Sequence, residues 1–312
     1  MRRTAVFTAA GAALTVAALL TVLGVGDDPT KLPNWQALVL GVVQGLTELL
    51  PISSSGHLIL VPWLFDWTYL KENNGFNQTF DVALHLGTLV AVAAYFWHEI
   101  VRLTAAWLGT LRRRRIRTPE ERVAWFVLVA TIPAALAGFV GEDFIADRLG
   151  EPWQIAILLA VFGVVLWWAD RRPMTKGMGD LGLRAGVGVG VAQSVALMPG
   201  VSRSGVTISA GRLLGLDRDS AARISFLLLI PTVFGAVLLK GVKDVALGDL
   251  PSGWVGPFVV GTVAAAGTGL LAILWLLDYV RRHDYSLFVV YRLNVAAIVL
   301  LLMATGVRSA TF

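Results

Sequence analysis

Two stretches of the chain read GVVQGLTELLPISSSG at residues 41–56 and GVAQSVALMPGVSRSG at residues 190–205. Aligned at a constant offset of 149 residues, they are identical at six of sixteen positions, which include Gln44 and Gln193. Each stretch is apolar but interrupted by proline, glycine and serine. Irregular backbone at membrane depth is tolerated only where it is buried in protein or lines a wet cavity. The two stretches therefore predict two re-entrant helical hairpins.

The composition of the whole chain is that of a membrane protein. Of its 312 residues, 56% are hydrophobic and 15% are charged, whereas soluble domains carry about 25% charged residues. This excludes a soluble enzyme, a disordered chain and a DNA-binding domain. The net charge of +5 lies in short clusters between apolar runs, which indicates loop charge and no nucleic-acid partner. Because the chain has no cysteine, disulfides, thiolate metal sites and a cysteine nucleophile are excluded.

Seven further runs are apolar and long enough to span a bilayer. They are residues 5–26, 80–98, 123–141, 153–169, 221–240, 254–277 and 287–306. The first run resembles a signal peptide, but the lack of an A-x-A site before Asp27 favours a retained helix. We predict an all-α polytopic membrane protein with six core transmembrane helices, two re-entrant hairpins and one extra N-terminal helix. Residues 1–30 form that helix or an uncleaved signal-like segment, and residues 31–312 form a single membrane-embedded domain.

Lysine and arginine counts predict the orientation of the spans. Residues 102–122 carry seven and residues 171–184 carry four, against one in residues 141–152. The positive-inside rule places the first two segments in the cytoplasm. The first hairpin then opens outside and the second inside, with the amino terminus inside. Opposite orientation and a repeated sequence predict an inverted-topology repeat, with halves at about 35–141 and 153–306 and a site near the midplane.

The first hairpin carries polar residues that suit catalysis. Gln44 and Glu48 share one helix face, and a carboxylate at membrane depth needs a cavity and a partner. Ser53, Ser54 and His57 follow within a few residues. The structural alternatives are a packing pair for the first two, and a hydrated turn whose hydroxyls cap the next helix for the rest.

The second hairpin suits an anion. Backbone N–H groups at a helix start, a guanidinium and hydroxyls together bind phosphate oxygens well. These side chains are Ser202, Arg203, Ser204 and Thr207. Without substrate, Glu48 is the expected partner of Arg203, which couples the two halves. The alternative is an arginine that snorkels to the interface.

Three other polar residues in the apolar runs suggest structural roles. His85 and His98 are interpreted as core or interface histidines, and Arg292 as a structural pairing residue. The arginine run at residues 112–115 is interpreted as a cluster that contacts lipid headgroups.

Both motifs resemble the signature regions of the bacterial undecaprenyl-diphosphatase family, of the bacitracin-resistance type (UppP/BacA-like). The resemblance extends from about Trp35 to about Met303. It implies a multi-pass hydrolase of the bacterial plasma (inner) membrane that removes the terminal phosphate of undecaprenyl diphosphate. The product is the lipid carrier for peptidoglycan and cell-wall synthesis, and its recycling confers bacitracin resistance. Because the positive-inside counts place the opening of the first hairpin outside, the active site would face the extracytoplasmic side.

The resemblance also implies a set of site residues. The catalytic residues would be Glu48, Ser54, His57 and Arg203. The diphosphate would be bound by Gln44, Ser53, Ser202, Arg203, Ser204 and Thr207. A divalent cation, Mg²⁺ or Ca²⁺, is implied as well, with Glu48 as the candidate ligand. Ser54 is the candidate nucleophile, and a directly attacking water is the alternative.

Two features depart from the family pattern, and one other function remains open. Gln44 stands where many members have Glu, which weakens a two-carboxylate metal site, and the N-terminal helix is not explained. A polyprenyl-phosphate transporter or flippase could share the inverted-repeat architecture. The expected partners are a polyprenyl diphosphate and the bilayer, while a homodimer is one of the oligomeric states left open.

Overall fold

The computed structural model describes residues 2–24, 31–241 and 253–312. Its described part contains helices and no β-strand. In chain order the helices are α1 (Arg2–Val22), α2 (Asn34–Leu49), α3 (Ser54–Phe65), α4 (Tyr69–Glu72), α5 (Asn74–Arg113), α6 (Pro119–Arg148), α7 (Pro152–Asp170), α8 (Leu183–Ser194), α9 (Arg203–Leu213), α10 (Arg218–Gly241), α11 (Val255–Tyr279) and α12 (Ser286–Ala304). The predicted end of the first span, at residues 25–26, lies outside the described residues.

Seven helices in the described part are long and apolar enough to cross a membrane: α1, α5, α6, α7, α10, α11 and α12. They coincide with the seven predicted runs, which confirms an all-α polytopic protein. The largest difference is α5, which has 40 residues where the sequence predicts a span at 80–98. At 1.5 Å per residue it is about 60 Å long, against a hydrocarbon core of about 30 Å. Polar residues at both ends continue the helix beyond the apolar run.

Two pairs of shorter helices correspond to the two motifs. Helix α2 contacts α3, and α8 contacts α9. Helices of 16, 12, 12 and 11 residues are shorter than the roughly 20 residues that a span requires. Each pair is therefore suited to enter the membrane and to leave it on the same side. Re-entry into a bilayer and the inverted orientation of the two pairs stay predictions.

Close helix packing interlocks the two motifs with the rest of the bundle. A Cβ at Gly41 of α2 would lie 2.4 Å from the carbonyl oxygen of Gly261 on α11. At the equivalent position of the second motif, a Cβ at Gly190 of α8 would lie 2.6 Å from the carbonyl oxygen of Ala130 on α6. Small residues allow such backbone approach in membrane bundles. The first helix of each motif thus packs against a span from the other half.

Single cysteines test the predicted orientation. We expect Asn74→Cys to react with a membrane-impermeant thiol reagent on intact cells, and Arg114→Cys to react only after lysis. Both native side chains are exposed at opposite ends of α5, and the chain has no competing cysteine. Labelling of Arg114→Cys on intact cells, with Asn74→Cys protected, would overturn the assigned orientation.

Candidate active site

The two motifs form the same local structure at their tips, which are residues 50–53 between α2 and α3 and residues 195–202 between α8 and α9. Ser53 and Ser202 have φ values of 76° and 75°, a left-handed region in which serine is uncommon. Each caps the helix that follows: Ser53 Oγ accepts a hydrogen bond from Gly56 N, and Ser202 Oγ accepts one from Gly205 N. The repeated sequence therefore encodes a repeated helix start.

The two tips contact each other directly. Gly200 N donates to Ser53 Oγ over 3.1 Å, and Ser204 Oγ donates to the carbonyl oxygen of Leu50 over 2.8 Å. Gly200 has a φ of 101°, and a Cβ there would lie 2.9 Å from the carbonyl oxygen of Ile155. Only glycine fits this position without strain. Ser53 and Ser204, both predicted to bind diphosphate, are thus engaged in joining the tips.

Arg292 binds the backbone of both tips through hydrogen bonds. Its side chain on α12 is fully buried. It donates to the carbonyl oxygens of Pro51, Gly200 and Val201 over 3.1, 2.9 and 3.0 Å, and to that of Leu159 on α7 over 3.0 Å. No carboxylate in the described part of the chain forms an ion pair with it. Its structural role was predicted, but its carbonyl partners were not.

Replacing Arg292 by methionine is expected to destabilise the fold. The change leaves at least four buried carbonyl oxygens without this donor, and an unsatisfied buried polar group costs about 1–3 kcal/mol. We expect a marked fall in the unfolding temperature of the purified protein in detergent. Arg281→Met, at an exposed arginine, is the control. An unfolding temperature as high as that of the control would contradict this role.

Glu48 is the centre of the polar cluster between the tips. Its Oε1 accepts from Arg203 Nε and Nη2 over 3.3 and 3.2 Å, which confirms the predicted pair between the two halves. Its Oε2 accepts from Ser54 Oγ over 2.5 Å and from Gln44 Nε2 over 3.4 Å. Glu48 is only 6% exposed. The cluster therefore joins an acid, a hydroxyl and a guanidinium.

Arg203 is held so that two N–H groups of its guanidinium stay available for a ligand. Besides Glu48, it donates through Nη1 to the carbonyl oxygen of Ser225 over 2.7 Å. A guanidinium has five N–H donors in a fixed plane. The three hydrogen bonds to protein oxygens therefore leave one N–H on each Nη atom, a pair that matches two phosphate oxygens.

His85 is a neighbour of Glu48. From the sequence it was interpreted as a structural histidine. His85 Nε2 lies 3.5 Å from Glu48 Oε2, and its Nδ1 donates to the carbonyl oxygen of Asp81 over 2.7 Å. The signal in the sequence for a role at the site was a histidine on an otherwise apolar helix face. The sequence gives no indication of which face of α5 meets α2.

His57 lies in a different part of the site. Its Nδ1 donates to the carbonyl oxygen of Ser53 over 2.6 Å, and its Nε2 contacts the Tyr291 hydroxyl at 2.8 Å. No hydrogen bond joins His57 to Glu48 in the described structure. Both ring nitrogens are engaged, so the geometry favours an orienting role. Tyr291, next to Arg292 on α12, was not predicted.

The remaining predicted side chains support the second tip. Ser202 Oγ lies 3.1 Å from Ser204 Oγ. Thr207 Oγ1 donates to the carbonyl oxygen of Arg203 over 2.7 Å and lies 2.8 Å from Ser225 Oγ. Ser202 and Thr207 are 4% and 0% exposed. These hydroxyls brace the loop that carries Arg203, and diphosphate binding by them stays a prediction.

The oxygen atoms around Glu48 are of the kind that hard cations prefer as ligands. Among the described residues, no group of three or more His, Asp and Glu side chains converges. Gln44 Oε1, however, is buried without a hydrogen-bond partner, on the amide whose nitrogen contacts Glu48. A carboxylate, an amide oxygen and the Ser54 hydroxyl suit a hard cation that takes its other ligands from water and phosphate.

Comparison with known proteins gives a consistent result. The family model described as "Bacitracin resistance protein BacA" matches residues 37–298. A protein of Thermomicrobium roseum named undecaprenyl-diphosphatase is 47% identical over 279 residues, covering 86% of this chain and 98% of that protein. A protein of the same name from Pelotomaculum thermopropionicum is 45% identical over 271 residues, covering 86% and 97%.

Proposed function

The chain belongs to the bacitracin resistance protein BacA family, and from this we propose that it is an undecaprenyl-diphosphatase of the membrane. It hydrolyses the anhydride of undecaprenyl diphosphate to undecaprenyl phosphate and inorganic phosphate. This recycles the lipid carrier for cell-wall synthesis and provides bacitracin resistance. The relatives carry the name of this activity, and the site geometry supports it.

The contact between Ser54 and Glu48 is the observation that carries the proposal. A hydroxyl that donates to a buried carboxylate over 2.5 Å is the arrangement of an activated nucleophile. Arg203, on the other oxygen of the same carboxylate, places positive charge beside the reacting group. Translocation of a lipid without bond cleavage does not require a nucleophile and base, so a flippase is less favoured.

The reaction proceeds in two steps at these atoms. Ser54 Oγ attacks the terminal phosphorus while Glu48 takes its proton, and the bond to the bridging oxygen breaks to release undecaprenyl phosphate. Glu48 gives this proton to the departing undecaprenyl phosphate and is ionised again. Water then attacks the phosphoserine and gives a proton to Glu48, which passes it to Ser54 Oγ as the bond from Ser54 Oγ to phosphorus breaks and inorganic phosphate leaves. Arg203 neutralises charge on the equatorial oxygens throughout. His57 orients the first tip through Ser53.

A divalent cation, Mg²⁺ or Ca²⁺, is part of the proposal. Glu48 and Gln44 Oε1 would hold it together with phosphate oxygens and water. When bound, it supplies Lewis-acid stabilisation of the diphosphate charge.

The location of the reaction is also proposed. The seven apolar spans of the described residues support a multi-pass membrane protein. The family favours the bacterial plasma membrane, and the positive-inside counts favour action on the extracytoplasmic side. The polyprenyl chain lies among the spans, with its diphosphate at the two tips.

Phosphate release by the purified protein tests the function. The protein in detergent, given undecaprenyl diphosphate and Mg²⁺, should release inorganic phosphate, and the Arg203→Ala variant should not. Flipping of polyprenyl phosphate in vesicles without phosphate release would instead support the transporter alternative.

Removal of the Ser54 hydroxyl tests the nucleophile. We expect Ser54→Ala to lose at least about a thousandfold in kcat, because no other group replaces a missing nucleophile. The adjacent Ser55→Ala is the matched control and should stay near wild type. Acid quenching during turnover of a diphosphate labelled at its terminal phosphorus should trap label on Ser54. An active Ser54→Ala variant, or unlabelled protein, would favour direct attack by water.

A further inference from the structure

A polar cavity lies away from the two tips, at the end of α7. It has a volume of about 320 Å³, and four arginines and two aspartates are among its lining residues. These charged residues are Asp170, Arg171, Arg172, Arg212, Arg218 and Asp284. The hydrogen bond from Ser286 N lowers the pKa of Asp284, which favours its charged form. The lining still has an excess of positive charge.

The charges of this cavity differ in whether they are already paired. Arg212 donates to Asp170 Oδ1 over 3.0 Å and to the carbonyl oxygen of Arg172. Arg218 also donates to Asp170, over 2.9 Å. These bonds neutralise the aspartate and fix the backbone of the segment that leaves α7.

Arg171 and Arg172 have no carboxylate partner within the described residues. Each instead lies over an indole: Arg171 is 3.5 Å from the ring centre of Trp167, and Arg172 is 4.7 Å from that of Trp168. Cation–π stacking orients a guanidinium but uses none of its N–H groups. Two oriented cations with free donors are therefore presented at one edge of the cavity.

An apolar stripe leads along α7 to these cations. Trp153, Ile157, Val161, Val164 and Trp168 are 42–52% exposed, at the spacing of one helix face. The stripe lies on a span, so it faces hydrocarbon. Tryptophan at its end is typical of the level of the headgroups.

We propose that this edge of α7 binds an anionic phospholipid, with its phosphate on Arg171 and Arg172 and its acyl chains along the stripe. Bidentate donation by two guanidinium groups is selective for phosphate. The stripe is open to the bilayer, where phospholipid is the abundant phosphate-bearing molecule. Four arginines against two aspartates favour a headgroup with net negative charge over a zwitterion. The positive-inside rule predicts this end to be cytoplasmic, the leaflet in which basic pockets between helices bind anionic headgroups.

Lipid titration of the delipidated full chain tests this site. Phosphatidylglycerol, phosphatidylcholine and undecaprenyl phosphate are each titrated into the protein in detergent, with bound lipid counted by native mass spectrometry. We expect Arg171→Gln/Arg172→Gln to bind phosphatidylglycerol about tenfold more weakly than wild type. Trp167→Leu/Trp168→Leu, which keeps the charges but removes the stacking, should also weaken binding. Arg117→Gln/Arg122→Gln removes the same charge at exposed arginines and should bind as wild type does.

Three results would overturn the proposal. Equal loss in the two arginine pairs would indicate general charge attraction. Phosphatidylcholine binding as tightly as phosphatidylglycerol would exclude charge selectivity. A loss confined to undecaprenyl phosphate would assign the edge to the product of the reaction.

Discussion

We expect Glu48→Gln to lower kcat/KM for undecaprenyl diphosphate by at least about a hundredfold, the scale of a lost general base. The amide has nearly the size of the carboxylate, so the packing of α2 is kept. It cannot take the proton of Ser54, however, and it no longer neutralises Arg203. The measurement is phosphate release, with the folded state checked by size-exclusion chromatography and unfolding temperature.

Glu72→Gln is the control for Glu48→Gln, because Glu72 is an exposed glutamate on α4. Its activity should match wild type. Near-normal turnover by folded Glu48→Gln would remove Glu48 from catalysis and leave Gln44 and Glu48 as a packing pair.

The second large effect is expected at Arg203. Arg203→Lys keeps the charge but cannot contact Glu48, the Ser225 carbonyl oxygen and two phosphate oxygens at once, because an ammonium group lacks the planar fork. We expect a loss of at least about a hundredfold in kcat/KM, and nearly the same loss in Arg203→Ala. Since Arg203 is paired across the two tips, a lower unfolding temperature should accompany the loss.

Arg223→Lys is the matched control for Arg203→Lys. Arg223 lies near the start of α10 and is also paired with acids, at 2.7 Å from Asp219 and 3.6 Å from Glu99. It should retain wild-type activity. If Arg203→Lys retains most of the wild-type kcat/KM, the bidentate clamp is wrong and Arg203 acts by charge alone.

The contacts of Glu48 illustrate how far a sequence can predict a site. The pair with Arg203 was predictable because a charge at membrane depth needs an opposite charge, and these two motifs offered one each. That Ser54, and not His57, contacts the carboxylate was not predictable. Both follow the same tip, and the rotation of α3 against α2 decides between them.

The partners of His85 and Arg292 had no local signal in the sequence. Each is a polar residue in a largely apolar span, and the sequence alone favours a structural role for both. Helix α5 turns His85 toward Glu48, whereas α12 turns Arg292 toward the carbonyl oxygens of the tips. Their partners are far away along the chain, so only packing brings them together.

The sequence by itself determined the spans, the two interrupted motifs and the residue types of the site. These depend on local properties: the cost of polar groups in hydrocarbon, the length of apolar runs and the capping by Ser53 and Ser202. The tertiary structure alone decided which atoms join the two tips, that Arg292 binds both, and that Glu48, and not His57, contacts Ser54 and lies beside His85. Such contacts depend on how the helices rotate and cross. Close packing at small residues such as Gly41 and Gly190 sets this geometry, and the packed partners are too far apart along the chain for a local sequence pattern to show them.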